Sequence, residues 1–499
     1  MPTKLNLAIS ARELKETKKQ GGISGKLAAF AIGFLEKYFG TSLLLKIPSG
    51  LEDTEPELFG AIKTAEKLQD LGIIEKIKRR PKYPDEPHLF WVSITNQNLR
   101  DVGSGVDFFS EKAAFWKAIG ESAERSLWRA DNDIFKNVLV LPYEKIKDQA
   151  LNIFKLAGFS EEQKKSNPRL NFNENTPFGW ITATSLTSQK GNKKIFCPAQ
   201  LVNSHYFREK VTNPETKKEP MLRQIITTGV ATGGNLEEAL AKGILEIIER
   251  DAYIISYLNK ISPPVIDFEY LSFQNEKLEK VFQMFKRYNL EVYLIKLPTD
   301  FSVLAVSAVI LDKSGKGPAF TIGNSADFNL EDAVLSALSE ALAIRLSLKK
   351  NWESKKEMDF PDPGKFKQID RMIYWANPEN ASRLDFMIRG KKIRIDLSQE
   401  ANFFESAEKE KNRKYYQKKL QELIHELREK SYEACYFELS NDGVRKVGLR
   451  SVQVVIPELQ PIHLDEETPC LGGRRLKELP KKNGYTPAEN LNQEPHPFG

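Results

Sequence analysis

The sequence predicts a mixed α/β (α+β) fold with internally repeated helices. Three observations predict it. β-Branched runs such as EVYLIKL, VLAVSAVILD and SVQVVIP alternate along the chain with long helical patterns. Three helical segments, AFWKAIGESAER, ALAKGILEIIER and AVLSALSEALAIR, align without gaps, bringing Glu121, Glu246 and Glu340 into one register with Ala114, Ala239 and Ala333 ahead of them. The copies lie roughly 100 residues apart, which suits one repeated architecture and excludes a solenoid of short units.

Taken in order, residues 1–80 alternate helical pattern and loop and form an N-terminal mixed helical region. The bend RRPKYPDEPH and the strand-like LFWVSIT then open a main domain over 81–480. Further strands are expected at NVLVLPY, GWITATSL, KKIFCPAQLV, RQIITTGVA, PAFTIGNS and EACYFEL, with a hairpin at KSGKG. The charged stretch 405–430 reads as a long helix with a solvated face, and 481–499 as an irregular, Pro-containing tail.

Composition narrows the function classes. With 40% hydrophobic and 28% charged residues the chain is globular. It shows no signal peptide and no apolar run of about 18 residues, so no membrane partner and a cytoplasmic location are expected. Cys197, Cys435 and Cys470 are far apart and form no CxxC pair, which fits a reducing compartment and argues against a zinc site or a disulfide frame. The net charge of +6 is spread along the chain, so no nucleic-acid partner is expected. GGISGKL lacks P-loop spacing and KSGKGP sits in a hairpin, so neither is a phosphate loop. The five histidines are scattered and read as structural.

The chemistry concentrates in KGILEIIER. At about 100° per residue, Glu238, Glu246 and Glu249 share one stripe of the helix, while Leu236, Leu240, Ile244, Ile247 and Ile248 form a separate apolar stripe. An ordinary explanation exists: Glu238 closing a capping box with Asn235, and Glu249 pairing with Arg250 at the surface. Against it, ExxER recurs at Glu121 and Glu124 in the same register, and both copies follow a glycine-bearing loop, GSGVDF or TTGVATGGN. Such loops lead into helix N-termini, where free N–H groups favour phosphate, and carboxylates beside phosphates suit hydrated Mg²⁺. The stripe is expected to hold Mg²⁺ and, through it, a nucleoside triphosphate.

GSGVDFFSEKAAFWKAIGESAER, TTGVATGGNLEEALAKGILEIIERDAY, GNSADFNLEDAVLSALSEALAIR, IDRMIYWANPENASRLDFMI and LRSVQVVIPELQPIHL…LGGRRLKELP follow one another in an order that resembles the YcaO superfamily, over roughly residues 75–480. The resemblance implies a YcaO-like fold, its internally repeated helices packed on mixed β-sheets and enclosing an ATP site, with 81–480 as the ATP-binding catalytic domain. It implies metal ligation by Glu121, Glu124, Glu238, Glu246 and Glu249, and nucleotide contacts from these residues with Arg125, Asn235 and Arg474, for which the adjacent Arg475 is the alternative. Lys117, Gly234 and the reading GSGVDF depart from the family's usual residues, so phosphate contacts are less firmly implied than metal contacts. The ending PHPFG resembles the PHPFP-like tails of azoline-forming members, which implies the Gly499 carboxylate as general base. The implied activity is an ATP- and Mg²⁺-dependent cyclodehydratase acting on a ribosomally made precursor peptide. The implied partners are that peptide and a separate leader-peptide-binding protein, with a homodimer as a family habit. Thioamide or amidine formation at the same site, or a non-catalytic partner protein, are the alternatives.

Overall fold

In a computed structural model, residues 59–80, 82–96, 99–130, 137–189, 193–215, 217, 219–397 and 409–498 are described. Most of the expected N-terminal region, GGISGKL within it, and Gly499 lie outside these residues. The chain divides into two units, Met1–Pro81 with Phe90–Ser122, and Lys82–Leu89 with Ala123–Gly499.

The first unit contains helix α1 (Phe59–Asp70), strands β1 (Lys76–Arg79), β2 (Phe90–Asn96) and β3 (Leu99–Asp107), and the start of helix α2 (Glu111–Arg129). The strands form an antiparallel meander in the order β1-β2-β3. Ile77 and Ile94 are register partners in it, and both are buried. Helix α2 lies directly on β3 because glycines leave room: a Cβ at Gly105 would stand 1.9 Å from the Ala114 carbonyl oxygen. GSGVDF, expected as a loop, is therefore the end of a strand.

The second unit holds β4 (Leu139–Pro142), β5 (Pro177–Ser185), β6 (Lys194–Pro198), β7 (Val230–Gly233) and helix α3 (Leu236–Leu258). There follow β8 (Val265–Ile266), β9 (Glu291–Lys296), β10 (Leu304–Leu311), β11 (Phe320–Asp327), α4 (Leu330–Lys349), α5 (Gln368–Ala376), β12 (Lys392–Ile393), α6 (Lys409–Glu429), β13 (Cys435–Glu438), β14 (Arg450–Val455) and α7 (Arg475–Lys482). One sheet runs β11-β10-β9-β8-β12; the other runs β4-β5-β13-β14-β7 with β6 also on β5. All pairings are antiparallel except the short β8–β12 pair. The hairpin at KSGKG joins β10 to β11, with Leu311 opposite Phe320.

Helix α3 touches β7 and β14 of one sheet and β10 and β11 of the other. Its last turns, DAYIISYL, are apolar nearly all round, and they are buried all round. A helix buried on every side needs that composition. Of RQIITTGVA, the first residues are not strand; β7 begins only at Val230. Nor is the charged helix α6 simply a solvated face: Leu420, Leu423, Ile424 and Leu427 recur at helical spacing and are buried in the core that α3 anchors. The charge density of the flanking residues masks that stripe. The three cysteines are buried free thiols.

Candidate functional site

The repeat is real in three dimensions, and its shared glutamate has a structural task in every copy. Ser104 N donates to Glu121 Oε2 at 2.6 Å, Gly229 N to Glu246 Oε2 at 3.0 Å, and Asn324 N to Glu340 Oε2 at 2.7 Å. In the first and third copies a strand glycine lies beneath the helix: added Cβ atoms would fall 2.8 Å from the Ala118 carbonyl at Gly103 and 2.3 Å from the Ala337 carbonyl at Gly323. In the second copy the donor, Gly229, stands in the turn just before β7 with φ +88°, and a Cβ there would fall 2.4 Å from the Val454 carbonyl. In each copy the backbone entering or forming the strand hands one N–H to the carboxylate. A carboxylate has about four acceptor sites, so this bond leaves lone pairs for a cation.

The second glutamates differ. Glu124 reaches out of its own helix and accepts the Thr232 N–H of β7 at 2.7 Å. Glu249, 8% exposed, accepts the Ala326 N–H of β11 and pairs with Arg250, which also lies 3.5 Å from Glu246. Burial pushes the Glu249 carboxyl up to about 7, against the pull of Arg250 and helped by the like charge of Glu246. In the third copy Ala343 stands where this residue would be.

At the helix start, Asn235 caps α3 through Glu238 N at 2.8 Å, as the capping reading requires. The Glu238 carboxylate, however, accepts Gly234 N at 3.0 Å and the Lys242 ammonium at 2.7 Å. The middle of TTGVATGGN is strand, since β7 spans Val230–Gly233, and the cap follows two residues later. Lys242 was not singled out by sequence, although it stands four residues after Glu238 and four before Glu246 on the same helix. Burial works to discharge it, yet Glu238, with Tyr416 and Glu124 nearby, holds it up at about 12. Beyond Lys242 opens a cavity of about 140 Å³, lined also by Asp327, Asn329, Asp332 and Tyr416. Burial, with Asp332 alongside, raises Asp327 to about 6.

The other candidates are distributed as follows. Glu121 and Arg125 sit on α2 with Glu124; Glu121 precedes Glu124 by one helical turn. Arg474, at the start of α7, stacks over Tyr432 and lies 3.8 Å from Glu478, so the contacts it makes are not with the glutamate stripe. Its neighbour Arg475 is buried and locked to Asp251, Asp300 and Tyr432. The tail is docked through Phe498, which is 2% exposed. Among the described residues one triad brings metal-ligating atoms within 4.8 Å of one another: His463, Glu466 and His496. Its groups are already engaged. His463 Nε2 meets Glu466 at 3.0 Å, Glu466 takes the Arg371 guanidinium at 2.9 Å, and His496 Nε2 donates to the His463 carbonyl at 2.7 Å.

The donor set of the stripe fits Mg²⁺: all-oxygen and hard, with Glu246 and Glu249 both reaching Arg250 at its buried end. Histidine and thiolate, which softer metals prefer, are missing from the stripe.

Residues 107–460 match the family model described as YcaO cyclodehydratase, ATP- and Mg²⁺-binding. An uncharacterized protein of Methanothermobacter thermautotrophicus is 27% identical over 302 residues, 60% of this chain and 69% of that one. A heterocyclase solved in complex with substrate and cofactor is similar in fold, with a TM-score of 0.68 at 19% identity over 92% of this chain. The chain spans 57% of that structure's length. YcaO from Methanopyrus kandleri, bound with AMPPCP and Mg²⁺, has a TM-score of 0.53 at 16% identity, covering 82% of this chain and 91% of that one. No helix among the described residues is long and apolar enough to cross a membrane.

Proposed function

This chain belongs to the YcaO cyclodehydratase family, whose cofactors are ATP and Mg²⁺, and from that premise we propose that it forms thiazoline or oxazoline rings in a ribosomally made precursor peptide. The observation that carries the reading is the buried Glu249, placed against Glu246 with one shared guanidinium. Two carboxylates that reach one guanidinium, one of them raised to about 7 chiefly by burial, form a pair that a divalent cation would stabilise.

In this reading Glu124, Glu238, Glu246 and Glu249 hold Mg²⁺, with Glu121 on the same helix as Glu124. The backbone N–H bonds to Glu121, Glu246 and Glu124 orient those carboxylates before any cation arrives, as outer-sphere partners do at metal sites. Asn235 fixes the start of α3, whose first-turn N–H groups, with Arg125 and Arg474, face the nucleotide. A substrate Cys, Ser or Thr side chain adds to the preceding amide carbonyl. Bound ATP supplies the γ-phosphoryl group that converts the carbonyl oxygen into departing phosphate, and Mg²⁺ offsets the charge that develops. A separate leader-peptide-binding protein delivers the substrate.

The test combines purified protein, ATP, Mg²⁺, a cognate precursor and its partner, with intact mass and phosphate release as readouts. Loss of one water per ring, coupled to phosphate release and abolished in Glu246→Ala, is expected. A sulfide-dependent exchange of sulfur for oxygen would replace this reading with thioamide formation. No ATP turnover in a system that otherwise binds its peptide would defeat it.

A further inference from the structure

Arg250 is the point at which the acidic stripe and the C-terminal segment meet. Its guanidinium serves Glu249 and Glu246 on one side and stacks on the Phe498 ring on the other, 4.2 Å from the ring centroid. Phe498 also packs on Tyr253, with ring centroids 5.5 Å apart. Just behind it the segment is pinned by uncharged bonds. The Pro495 carbonyl accepts from Tyr257 Oη at 2.9 Å and from Trp375 Nε1 at 2.7 Å. His496 Nε2 bonds the His463 carbonyl, which can only accept, so that nitrogen carries the proton. Burial, with Arg371 and His463 beside it, keeps this imidazole neutral.

The pins at Pro495 and His496 are hydrogen bonds between uncharged groups, whereas the contact at Phe498 is with the guanidinium that pairs with the stripe. We propose that Arg250 is a positioning residue that couples occupancy of the glutamate site to the seating of Phe498. Carboxylates and an aromatic face compete for one guanidinium. When Glu246 and Glu249 turn their charge to a divalent cation, their hold on Arg250 weakens. The ring face, which does not compete for the cation, keeps it. Phe498 is then held more tightly against Arg250. Linkage makes the effect reciprocal: seating Phe498 strengthens nucleotide binding by the same factor that nucleotide strengthens seating.

This inference rests on the proposal that Glu246 and Glu249 hold Mg²⁺ with ATP, and the experiment separates the two. Hydrogen exchange across residues 490–499 of the full chain is followed with and without ATP and Mg²⁺, alongside calorimetric nucleotide affinity. The variants are Phe498→Ala, Phe498→Tyr and Arg250→Lys, each checked by its melting curve. Nucleotide is expected to slow exchange of the segment by about fivefold or more, and Phe498→Ala to weaken nucleotide binding by a matching factor. Phe498→Tyr, which keeps the ring, is expected to retain both effects, and Arg250→Lys to lose the slowed exchange. Nucleotide binding with unchanged exchange, or with equal affinity in Phe498→Ala, would overturn the coupling while leaving the cofactor site standing. Failure of the wild-type chain to bind nucleotide at all would overturn both.

Discussion

Glu340 Oε2 accepts the backbone N–H of Asn324 at 2.7 Å, tying helix α4 to the strand before it. The third copy lacks a second glutamate, so the latch can be tested there without an ExxE pair, and the Glu340 charge also acts on Arg250. Glu340→Ala leaves a strand N–H without that partner and is expected to destabilise the protein by about 1–3 kcal/mol. Glu340→Gln keeps an acceptor and is expected to melt near wild type. Glu246→Gln keeps the equivalent bond to Gly229 but loses its charge, so stability should hold while phosphate release falls roughly 100-fold. Parallel melting and phosphate assays on the three variants decide it. Equal activity in Glu246→Gln and wild type would make that carboxylate architectural too.

The close passage of strand under helix gives a second prediction. A Cβ at Gly323 would stand 2.3 Å from the Ala337 carbonyl and 2.4 Å from the Ala341 nitrogen, both backbone atoms that cannot swing aside. Gly323→Ala is therefore expected to lift α4 and cost about 1–3 kcal/mol, the range for overpacking a filled core. Chemical denaturation measures it. An unchanged midpoint would mean that the helix moves freely on β11.

Glycines like this one explain how much was legible beforehand. The alignment of Glu121, Glu246 and Glu340 showed in sequence because a latch to a strand needs one residue type at one helical position. The strand partner escaped notice, and GSGVDF and TTGVATGGN read as loops, because glycine signals turns and close approach equally. Yet TTG, GSG and TIG recur at a near-constant distance before each shared glutamate, and that spacing was the available signal. The apolar stripe of α3 was readable from periodicity, and Leu240, Ile244 and Ile248 are buried as it required. Arg250 was harder. On a wheel it is one more charged residue, and only the return of the chain end brings Phe498 onto it. No local pattern encodes a contact between residues so distant in sequence.

Two adjacent arginines offer a third prediction, because sequence could not tell them apart. Arg475 is buried and bonds Asp251 through two nitrogens, Asp300 at 2.8 Å and Tyr432 at 2.7 Å. Arg475→Met would leave Asp251 and Asp300 buried without their cation, at a cost of about 3–5 kcal/mol. Arg474 is half exposed, so Arg474→Ala is expected to change stability by no more than about 0.5 kcal/mol. Any loss of ATP affinity in Arg474→Ala then reports a nucleotide contact, with calorimetry as the measurement. Unaltered affinity would remove Arg474 from the site.

The pH dependence of stability should carry the mark of Glu458. Its side chain is buried, and both oxygens approach the Glu433 N–H, at 3.1 and 3.2 Å, while the Lys155 ammonium stays 3.7 Å away. Burial, joined by the like charge of Glu433, pushes the carboxyl from 4.5 up to about 7. A raised carboxyl binds its proton more tightly in the folded state than in the unfolded one. Its contribution is therefore fully present below pH 4.5 and is lost as pH rises toward about 7. The shift corresponds to about 3 kcal/mol across that window. Glu458→Gln imitates the protonated form and keeps an acceptor for the Glu433 N–H. It is expected to match wild type at pH 5 and to exceed it increasingly up to pH 8. Urea midpoints for both proteins at half-unit pH steps would show the gap opening. Parallel curves would mean that Glu458 ionises in the folded state as an ordinary carboxyl does.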